Sequence, residues 1–339
     1  MRQLMFIEPG VLEWQEALEP KLEGPGEAVV RPLAVSNCDA DQMILRGETF
    51  FRGPFPIGHE FVAEVVDVGD EVASVTPGDR VVVPFQISCG TCARCRKGLT
   101  AGCLTAGGRG MYGFGAVGGD WGGAMSDSVR VPFADHMLVP VPAGVPSDAI
   151  PAASDNLCDA WRTIAPRLAE RPGAPMLLIG QSPSPAYAIE IALALGAESV
   201  DYADTDSARL ELARSLGANP IQIGEWPRGL GQYPVTANGS PKREALHCAI
   251  RSTEPGGVCT NVFPFYTEPE PQIPLFEMFV NGITFLTSRP HVRPIIPEVL
   301  DLVRAQRIHP ERVTGSVVSW DEAMEALLGP TQKLVMIPT

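Results

Sequence analysis

Apolar and polar positions alternate in two different ways along this chain of 339 residues. In the first 150 residues, apolar residues recur at every second position, as in FVAEVVDVGDEV at 61–72, and turn signals such as TPGDR at 76–80 separate the runs. A period of two is typical of half-buried strands. We therefore predict a β-rich, partly barrel-like domain for this part of the chain.

From about residue 157 the pattern changes to short apolar runs followed by amphipathic stretches. We predict strands at MLLIG (176–180) and SVDYAD (199–204), and helices at AYAIEIALALGA (186–197) and SARLELARSLGA (207–218). Strands that alternate with helices favour a parallel sheet with crossover helices.

The last third of the chain follows this alternation less regularly. The segment QYPVTANGS at 232–240 departs from it, and the pattern then resumes with a helix at 245–257 and the strand VCTNVF. Beyond residue 289 we predict one helix, IIPEVLDLVRAQRI, and a final strand, KLVMIP. No internal repeat interrupts this order.

Charge and hydropathy exclude several classes of partner. The formal net charge is -14 and is spread along the chain, so its field repels phosphate backbones and anionic membranes. The first residues, MRQLMFIEPG, lack the pattern of a signal peptide, and no stretch of about 18 apolar residues could span a membrane. We expect a cytoplasmic protein that binds neither nucleic acid nor membrane.

Four of the eight cysteines lie in one polar loop, SCGTCARCRKGLTAGC at 88–103. Cys89, Cys92, Cys95 and Cys103 have the spacing Cys-x2-Cys-x2-Cys-x7-Cys, and four clustered thiolates suit a closed, tetrahedral structural zinc site. An iron–sulfur cluster is an alternative, although its common bacterial motif has a shorter last gap followed by proline, where this chain has Leu104. Unliganded thiols are the other alternative.

The run GHEFVAEVVDVGDEV at 58–72 follows Cys38 and precedes the four-cysteine loop. This order resembles the zinc-dependent medium-chain alcohol dehydrogenases. The runs at 118–142 and 154–161 are most similar to the branch with glutathione-independent formaldehyde dehydrogenase. The resemblance implies an α/β fold with two domains: a GroES-like β-rich catalytic domain at 1–156 and 289–339, and a Rossmann cofactor domain, a doubly wound parallel sheet, at 157–288.

The resemblance also implies a catalytic zinc site. It makes Cys38, His59 and Asp155 the ligands, with Glu60 as a nearby carboxylate that exchanges onto the metal and Asp41 as the acceptor of the second imidazole N–H. One thiolate, one carboxylate and a neutral imidazole balance the charge of Zn²⁺ and leave a fourth position open. Each residue also has an ordinary explanation: a buried thiol, a core histidine, a helix N-cap and a turn aspartate.

The expected cofactor loop, GQSPSPAYA, follows the strand MLLIG. Gly180 stands at the first glycine position of a dinucleotide-binding turn, while Ser182 and Pro185 replace the second and third, with Pro183 between them. A side chain at the second position narrows the approach to a pyrophosphate, although a serine hydroxyl can donate a hydrogen bond. We assign Gly180, Ser182 and Pro183 to cofactor binding.

Asp204 ends the next strand, where a ribose-binding acid is expected. Together with Asp206 it disfavours a 2′-phosphate, so we predict NAD as the cofactor. A helix cap is the ordinary explanation of Asp204. Lys333 resembles a basic residue that reaches the pyrophosphate in some relatives.

These features lead to one main interpretation. We expect an oxidoreductase with two zinc ions per chain that transfers hydride between a small alcohol or aldehyde and NAD, as a homodimer or homotetramer. A zinc-bearing reductase of activated double bonds, a dismutase that retains its cofactor, and a non-catalytic relative with a binding or assembly role are the alternatives. Ala40 stands where the family usually carries the serine or threonine of a proton relay.

Overall fold

The computed structural model describes residues 1–330 and 333–339, and its backbone contacts divide the chain into two units. The first unit comprises Met1–Cys158, Pro290–Ala305 and Thr314–Thr339. The second comprises Asp159–Arg289 and Gln306–Val313. The sequence placed the domain boundaries near residues 156 and 289.

The first unit is built mainly from strands. Its strands are β1 (Arg2–Glu8), β2 (Val11–Glu16), β3 (Ala28–Ser36), β4 (Phe55–Pro56), β5 (Glu60–Val68), β6 (Arg80–Val83), β7 (Val129–Val131), β8 (Val139–Pro140), β15 (Ser316–Ser319) and β16 (Leu334–Ile337). Its helices are α1 (Asp39–Leu45), α2 (Gly115–Gly118), α3 (Ala134–Met137), α9 (Val292–Arg304) and α10 (Ala323–Leu328). Three short 3₁₀ segments that matter for the site are Cys95–Lys97, Thr100–Gly102 and Pro151–Ser154.

A seven-stranded sheet in the order β15-β16-β3-β5-β6-β8 forms the centre of this unit, with β7 also paired to β3. The β3–β5 pair is antiparallel and contains two register shifts, which bend the strands as a bulge does. A smaller sheet has the order β2-β1-β4. This arrangement confirms the β-rich domain that the period-two pattern predicted.

The second unit alternates strands and helices. Its strands are β9 (Met176–Ile179), β10 (Val200–Asp204), β11 (Asn219–Gln222), β12 (Tyr233–Asn238), β13 (Thr253–Asn261) and β14 (Thr284–Thr287). Its helices are α5 (Pro183–Ala194), α6 (Ser207–Ser215), α7 (Arg243–Arg251) and α8 (Leu275–Asn281), while α4 (Asn156–Glu170) contains the boundary between the units. No helix within residues 1–330 and 333–339 has both the length and the apolar character needed to cross a membrane.

The six strands of this unit form one parallel sheet in the order β11-β10-β9-β12-β13-β14. All four residues of β9 have no exposed surface, as expected for a central strand covered on both faces. The strand order reverses between β9 and β12, and ligands of doubly wound sheets bind at the carboxyl ends of such a pair. The predicted parallel sheet with crossover helices is confirmed.

The segment at 232–240, for which the sequence pattern predicted no strand, contains the central strand β12. Pro234 and the polar residues Thr236 and Asn238 obscured the apolar run. Both polar side chains are buried but paired, Thr236 with Thr253 and Asn238 with Asn261. The elements α8, β14, β15 and α10 were also missed, because their short segments carry no clear period.

Candidate active site

Cys38 occupies the N-cap of α1, where its position is fixed by local hydrogen bonds. Its sulfur accepts from the backbone N–H of Ala40 at 3.2 Å, and its own N–H donates to the carboxylate of Asp41 at 2.9 Å. This reciprocal pattern is a capping box with sulfur in place of a hydroxyl. The positive end of the helix dipole favours a thiolate there.

His59 follows a glycine that the turn requires. Gly58 has φ +91°, and a Cβ on it would lie 2.8 Å from the backbone nitrogen of Met125, so only glycine lets the chain enter β5 at this point. His59 is fully buried, with its Nδ1 facing Asp41 Oδ1 at 3.4 Å and its Nε2 facing Asp155 Oδ2 at 3.7 Å.

Asp155 follows the 3₁₀ segment Pro151–Ser154 and precedes α4. The side-chain amide of Asn156 donates to Asp155 Oδ2 at 3.1 Å. One ligand atom from each of Cys38, His59 and Asp155 lies within 4.8 Å of the others. The structure therefore brings together the three residues that the sequence assigned to the catalytic metal.

The chemistry of this group fits zinc. Neither ring nitrogen of His59 has a hydrogen-bond partner among the described residues, although both are buried, and such atoms require an explanation. Burial raises the pKa of the Cys38 thiol, and a nearby cation is what would allow the thiolate to form. A set with one sulfur, one imidazole nitrogen and one carboxylate suits zinc with an open fourth position.

Glu60 and Lys333 occupy places that the sequence analysis did not expect. Glu60 is fully buried, and its carboxylate accepts from the Ser36 hydroxyl, from the Asn156 backbone N–H at 3.1 Å and from Lys333 Nζ. Lys333 Nζ also donates to the Asn37 carbonyl at 2.6 Å and to Asn156 Oδ1 at 3.1 Å.

These contacts bear on two assignments. Glu60 is not in the group of mutually close ligand atoms, three donors hold its carboxylate, and its exchange onto the metal stays a prediction. The ammonium of Lys333 is buried with Glu60 instead of being presented to a phosphate. Sequence reasoning missed Asn156, which joins this pair to Asp155; its position next to a ligand was the only available signal.

Apolar groups surround the metal-ligand group. The ring of Phe114 lies 4.8 Å from that of His59 and the ring of Phe85 lies 5.6 Å away, measured between centroids. Ala40 and Met43, on the first turns of α1, are buried as well. The position that carries a relay hydroxyl in the family is therefore filled by a methyl group.

The four-cysteine loop folds into a compact lobe. One sulfur from each of Cys89, Cys92, Cys95 and Cys103 lies within 4.8 Å of the others. Backbone N–H groups point at these sulfurs: Cys89 N donates to Cys103 Sγ at 3.4 Å, and Cys92 N donates to Cys89 Sγ at 3.4 Å. Donors aimed at sulfur stabilise thiolates, so the lobe fits a structural zinc ion.

Individual thiols of the lobe differ in acidity. Burial works to raise the pKa of Cys89, but hydrogen bonds from the hydroxyls of Thr105 and Thr91 outweigh it and lower the pKa to about 5. A backbone N–H of Cys95 lowers the pKa of Cys92 to about 7, whereas burial raises the pKa of Cys95 to about 12. Cys89 and Cys92 therefore form the metal-binding thiolate more readily at neutral pH than an ordinary cysteine does.

The expected cofactor loop lies at the carboxyl end of β9. Gly180 is packed so tightly that a Cβ on it would lie 2.1 Å from the Tyr202 hydroxyl and 2.4 Å from Asp204 Oδ2. Asp204 is buried, and Arg209 binds both of its oxygens, with Nε to Oδ2 at 2.7 Å and Nη2 to Oδ1 at 2.8 Å. The Asp206 N–H adds a further bond to Oδ1.

The hydrogen bonds from Arg209 bear on the prediction that Asp204 binds the ribose of the cofactor. A carboxylate has about four acceptor positions, and Arg209, Asp206 and a weak contact from Tyr202 at 3.4 Å occupy them. A ribose hydroxyl must therefore share or displace Arg209. Gly180 and Asp204 do lie side by side, as a dinucleotide site requires, while Pro183 contributes no N–H.

Comparisons with known proteins identify the family to which the chain is similar. Residues 24–143 match the family model of the alcohol dehydrogenase GroES-like domain. A medium-chain reductase/dehydrogenase from an Acremonium species is 34% identical over 229 residues, which is 66% of this chain and 76% of that protein. The glutathione-independent formaldehyde dehydrogenase of Pseudomonas aeruginosa is 31% identical over 229 residues, covering 64% of this chain and 57% of that protein.

A solved structure covers the whole chain. The alcohol dehydrogenase TADH from Thermus sp. ATN1 is 29% identical and superposes with a TM-score of 0.88 over 100% of both chains. The match extends through both units, and it confirms the resemblance seen in the sequence. The chain therefore belongs to the zinc-type medium-chain alcohol dehydrogenase family, whose members are oxidoreductases.

Proposed function

We propose that this chain transfers hydride between a small alcohol or aldehyde and NAD, with one catalytic and one structural zinc ion. The observation that carries the proposal is the buried group of Cys38, His59 and Asp155, whose ligand atoms converge within 4.8 Å. A bound zinc ion supplies Lewis-acid polarisation of the substrate oxygen, and a bound nicotinamide supplies or accepts the hydride.

The chain's own residues prepare the site. Asp41 Oδ1 lies 3.4 Å from His59 Nδ1, and Nε2 faces Asp155; acceptance of the second imidazole N–H by Asp41 is part of the proposal. The amide of Asn156 holds the Asp155 carboxylate. Packing of Phe85 and Phe114 on the imidazole excludes water from that side, which strengthens the electrostatic interactions within the group.

Metal analysis combined with turnover tests the proposal. Protein prepared without chelator should contain two zinc equivalents and should oxidise or reduce some member of an alcohol and aldehyde panel. Cys38→Ser should lose one equivalent and all turnover. The matched control is Cys248→Ser, a buried thiol on α7 outside both ligand groups, which should keep both zinc ions and full activity. Two zinc equivalents in Cys38→Ser would contradict the ligand assignment.

We propose NAD as the preferred cofactor because Asp204 and Asp206 place negative charge at the end of β10. A 2′-phosphate near these carboxylates suffers like-charge repulsion, although Arg209 offsets part of it. Fluorescence titration with NADH and NADPH measures the preference directly. Equal or tighter binding of NADPH would refute the placement of Asp204 at the ribose.

Two features of the second unit, an edge strand and an exposed apolar helix face, also support the proposal of a homodimer. β14 is the last strand of its sheet, so one row of its backbone N–H and C=O groups is unpaired within the sheet. The neighbouring helix α8 exposes four large apolar side chains: Leu275, Phe276, Phe279 and Val280. A second copy related by a two-fold axis would cover both features at once.

The dimer has a direct test in solution. Phe279→Glu should shift the protein toward monomer in sedimentation experiments, because it places a charge in the centre of the covered face. Leu18→Glu, at an even more exposed apolar position in the first unit, is the control and should leave the mass unchanged. A tetrameric wild type that Phe279→Glu reduces to dimers would place a second interface elsewhere.

Ala40 favours a second candidate, reduction of a substrate that needs no hydroxyl relay, such as an activated double bond. The buried methyl group of Ala40 cannot pass a proton from a substrate hydroxyl. A panel of enones and enals with NADH separates the two reactions. Faster turnover on the double bonds than on any alcohol or aldehyde would favour this candidate.

A further inference from the structure

Asn156 lies between two groups that fix the direction of its side-chain amide. Its Oδ1 accepts from Lys333 Nζ at 3.1 Å, and its Nδ2 donates to Asp155 Oδ2 at 3.1 Å. An ammonium can only donate and an ionised carboxylate can only accept, so each neighbour by itself requires the same orientation. Rotation of the amide by 180° would break both hydrogen bonds at once.

Burial makes this direction costly to change. Asn156 is 4% exposed and Lys333 is 6% exposed, so water has little access to replace either partner. The backbone N–H of Asn156 donates to Glu60 at 3.1 Å, and Glu60 also accepts from Lys333. Asn156 and the ammonium are therefore both tied to one buried carboxylate. Because unpaired polar groups are expensive in such surroundings, the network has one favoured arrangement.

The oxygen that Asn156 holds is the one that faces the imidazole. Asp155 Oδ2 lies 3.7 Å from His59 Nε2. Within residues 1–330 and 333–339, the Asn156 amide is the only hydrogen-bond donor to this carboxylate. Without that bond, the carboxylate could turn about its Cβ–Cγ bond and carry the oxygen away from the imidazole. The amide therefore holds the Asp155 oxygen among the other ligand atoms.

We infer that Asn156 and Lys333 are positioning residues for the metal ligand Asp155. Lys333 fixes the direction of the Asn156 amide, and the amide holds the carboxylate beside the other two ligand groups. The inference rests on the proposed catalytic zinc ion. Hydrogen-bond partners of metal ligands commonly contribute about 10–100-fold to metal affinity. The buried lysine thus has a role in zinc binding that is separate from its charge balance with Glu60.

Chelator competition measures zinc affinity without reference to turnover. Cys38→Ser, which should retain zinc only in the four-cysteine lobe, identifies the equivalent held by the catalytic group. Asn156→Leu keeps nearly the same shape but removes both ends of the amide. It should weaken the catalytic zinc about tenfold and leave zinc in the lobe unchanged. Cobalt substitution adds a spectroscopic measurement: after subtraction of the Cys38→Ser spectrum, the visible bands of Asn156→Leu should shift, because the carboxylate ligand has changed its position.

The role of Lys333 is tested in a background where the charge of Glu60 is also removed. The double variant Glu60→Gln/Lys333→Met leaves no buried charge unpaired in this network, so it remains folded more readily than Lys333→Met. It should still bind the catalytic zinc about tenfold more weakly, since no cation then directs the amide. Addition of Asn156→Leu to this double variant should cause no further loss, because Lys333 acts through Asn156.

Gln42→Met is the matched control for removal of a buried amide. Gln42 lies on α1 in the same unit and is 3% exposed, and its Nε2 donates to the Leu327 carbonyl at 3.2 Å. It is outside the metal-ligand group. Its substitution should lower the thermal midpoint but leave zinc affinity and the cobalt spectrum unchanged. Thermal denaturation of every variant separates loss of zinc from loss of the fold.

The outcomes separate the inference from the proposed function. Wild-type zinc affinity and an unchanged cobalt spectrum in Asn156→Leu would overturn the inference and leave the zinc site intact. An equal loss of zinc in Gln42→Met would also overturn it, because removal of any buried amide would then suffice. Further loss in the triple variant would refute the action of Lys333 through Asn156. Absence of metal from the Cys38 group of the wild type would instead refute the proposed function, and the inference with it.

Discussion

Removal of the Lys333 ammonium should destabilise the first unit severely. The side chain of Lys333 is 3% exposed and that of Glu60 is 0% exposed, so Lys333→Met leaves a carboxylate buried without its counter-charge. Loss of one partner from a buried ion pair costs about 3–5 kcal/mol. That is a large part of the roughly 5–15 kcal/mol that stabilises a typical protein.

Urea denaturation of the zinc-saturated protein, followed by tryptophan fluorescence, measures the effect. With a slope of about 2 kcal/mol per molar urea, the midpoint should fall by about 2 M. The double variant Glu60→Gln/Lys333→Met removes both charges, while glutamine still accepts from Ser36 and Asn156. It should therefore recover most of the lost free energy of unfolding.

An exposed ion pair provides the control. Arg304 and Asp301 on α9 are paired at 2.9 Å, but their side chains are 64% and 66% exposed. Arg304→Ala should change the free energy of unfolding by less than about 1 kcal/mol. If Lys333→Met were no more destabilising than Arg304→Ala, or if the double variant were as unstable as Lys333→Met, the buried pair would not have the assigned role.

Three further outcomes follow from the sites. Cys92→Ser should remove one zinc equivalent and lower the thermal midpoint, while metal in the other group is retained; visible charge-transfer absorption from iron would contradict zinc in the lobe. Ala40→Ser should raise alcohol turnover and flatten its pH dependence, since a positioned proton acceptor commonly contributes about 10²-fold. Unchanged turnover with bound zinc and NADH would show that proton transfer is not limiting. Arg209→Gln should tighten NADH binding by freeing acceptor positions on Asp204; weaker binding would mean that Arg209 itself contacts the cofactor.

Local patterns in the sequence were sufficient for some features and insufficient for others. The period-two runs and the apolar strands followed by helices predicted both parts of the fold, because burial of one face imposes these periods on any strand or helix. These patterns did not predict β12. Its buried polar residues are hydrogen-bonded to residues of the neighbouring strand β13, and a local pattern does not reveal such partners.

The metal-ligating residues were identifiable because their chemistry is distinctive. Closely spaced thiols, and a histidine that follows a glycine required by the turn, indicate metal binding through residue type and order alone. The four-cysteine lobe needs only a short loop to form. The resemblance to a known family then linked Cys38 and His59 to Asp155, which lies about a hundred positions further along the chain.

The pairing of Lys333 with Glu60 was decided by the tertiary structure alone. The two residues are 273 positions apart, and Lys333 directly precedes β16, which pairs with β3 in the sheet that also contains β5. A lysine near the end of a chain is usually solvated, so its sequence gave no sign of burial. The same holds for Arg209, which saturates Asp204, and for Gly239, which makes room for Pro185. The sequence by itself determined which groups carry the chemistry, whereas the packing of distant strands determined which charges those groups face, because burial removes the water that would otherwise screen them.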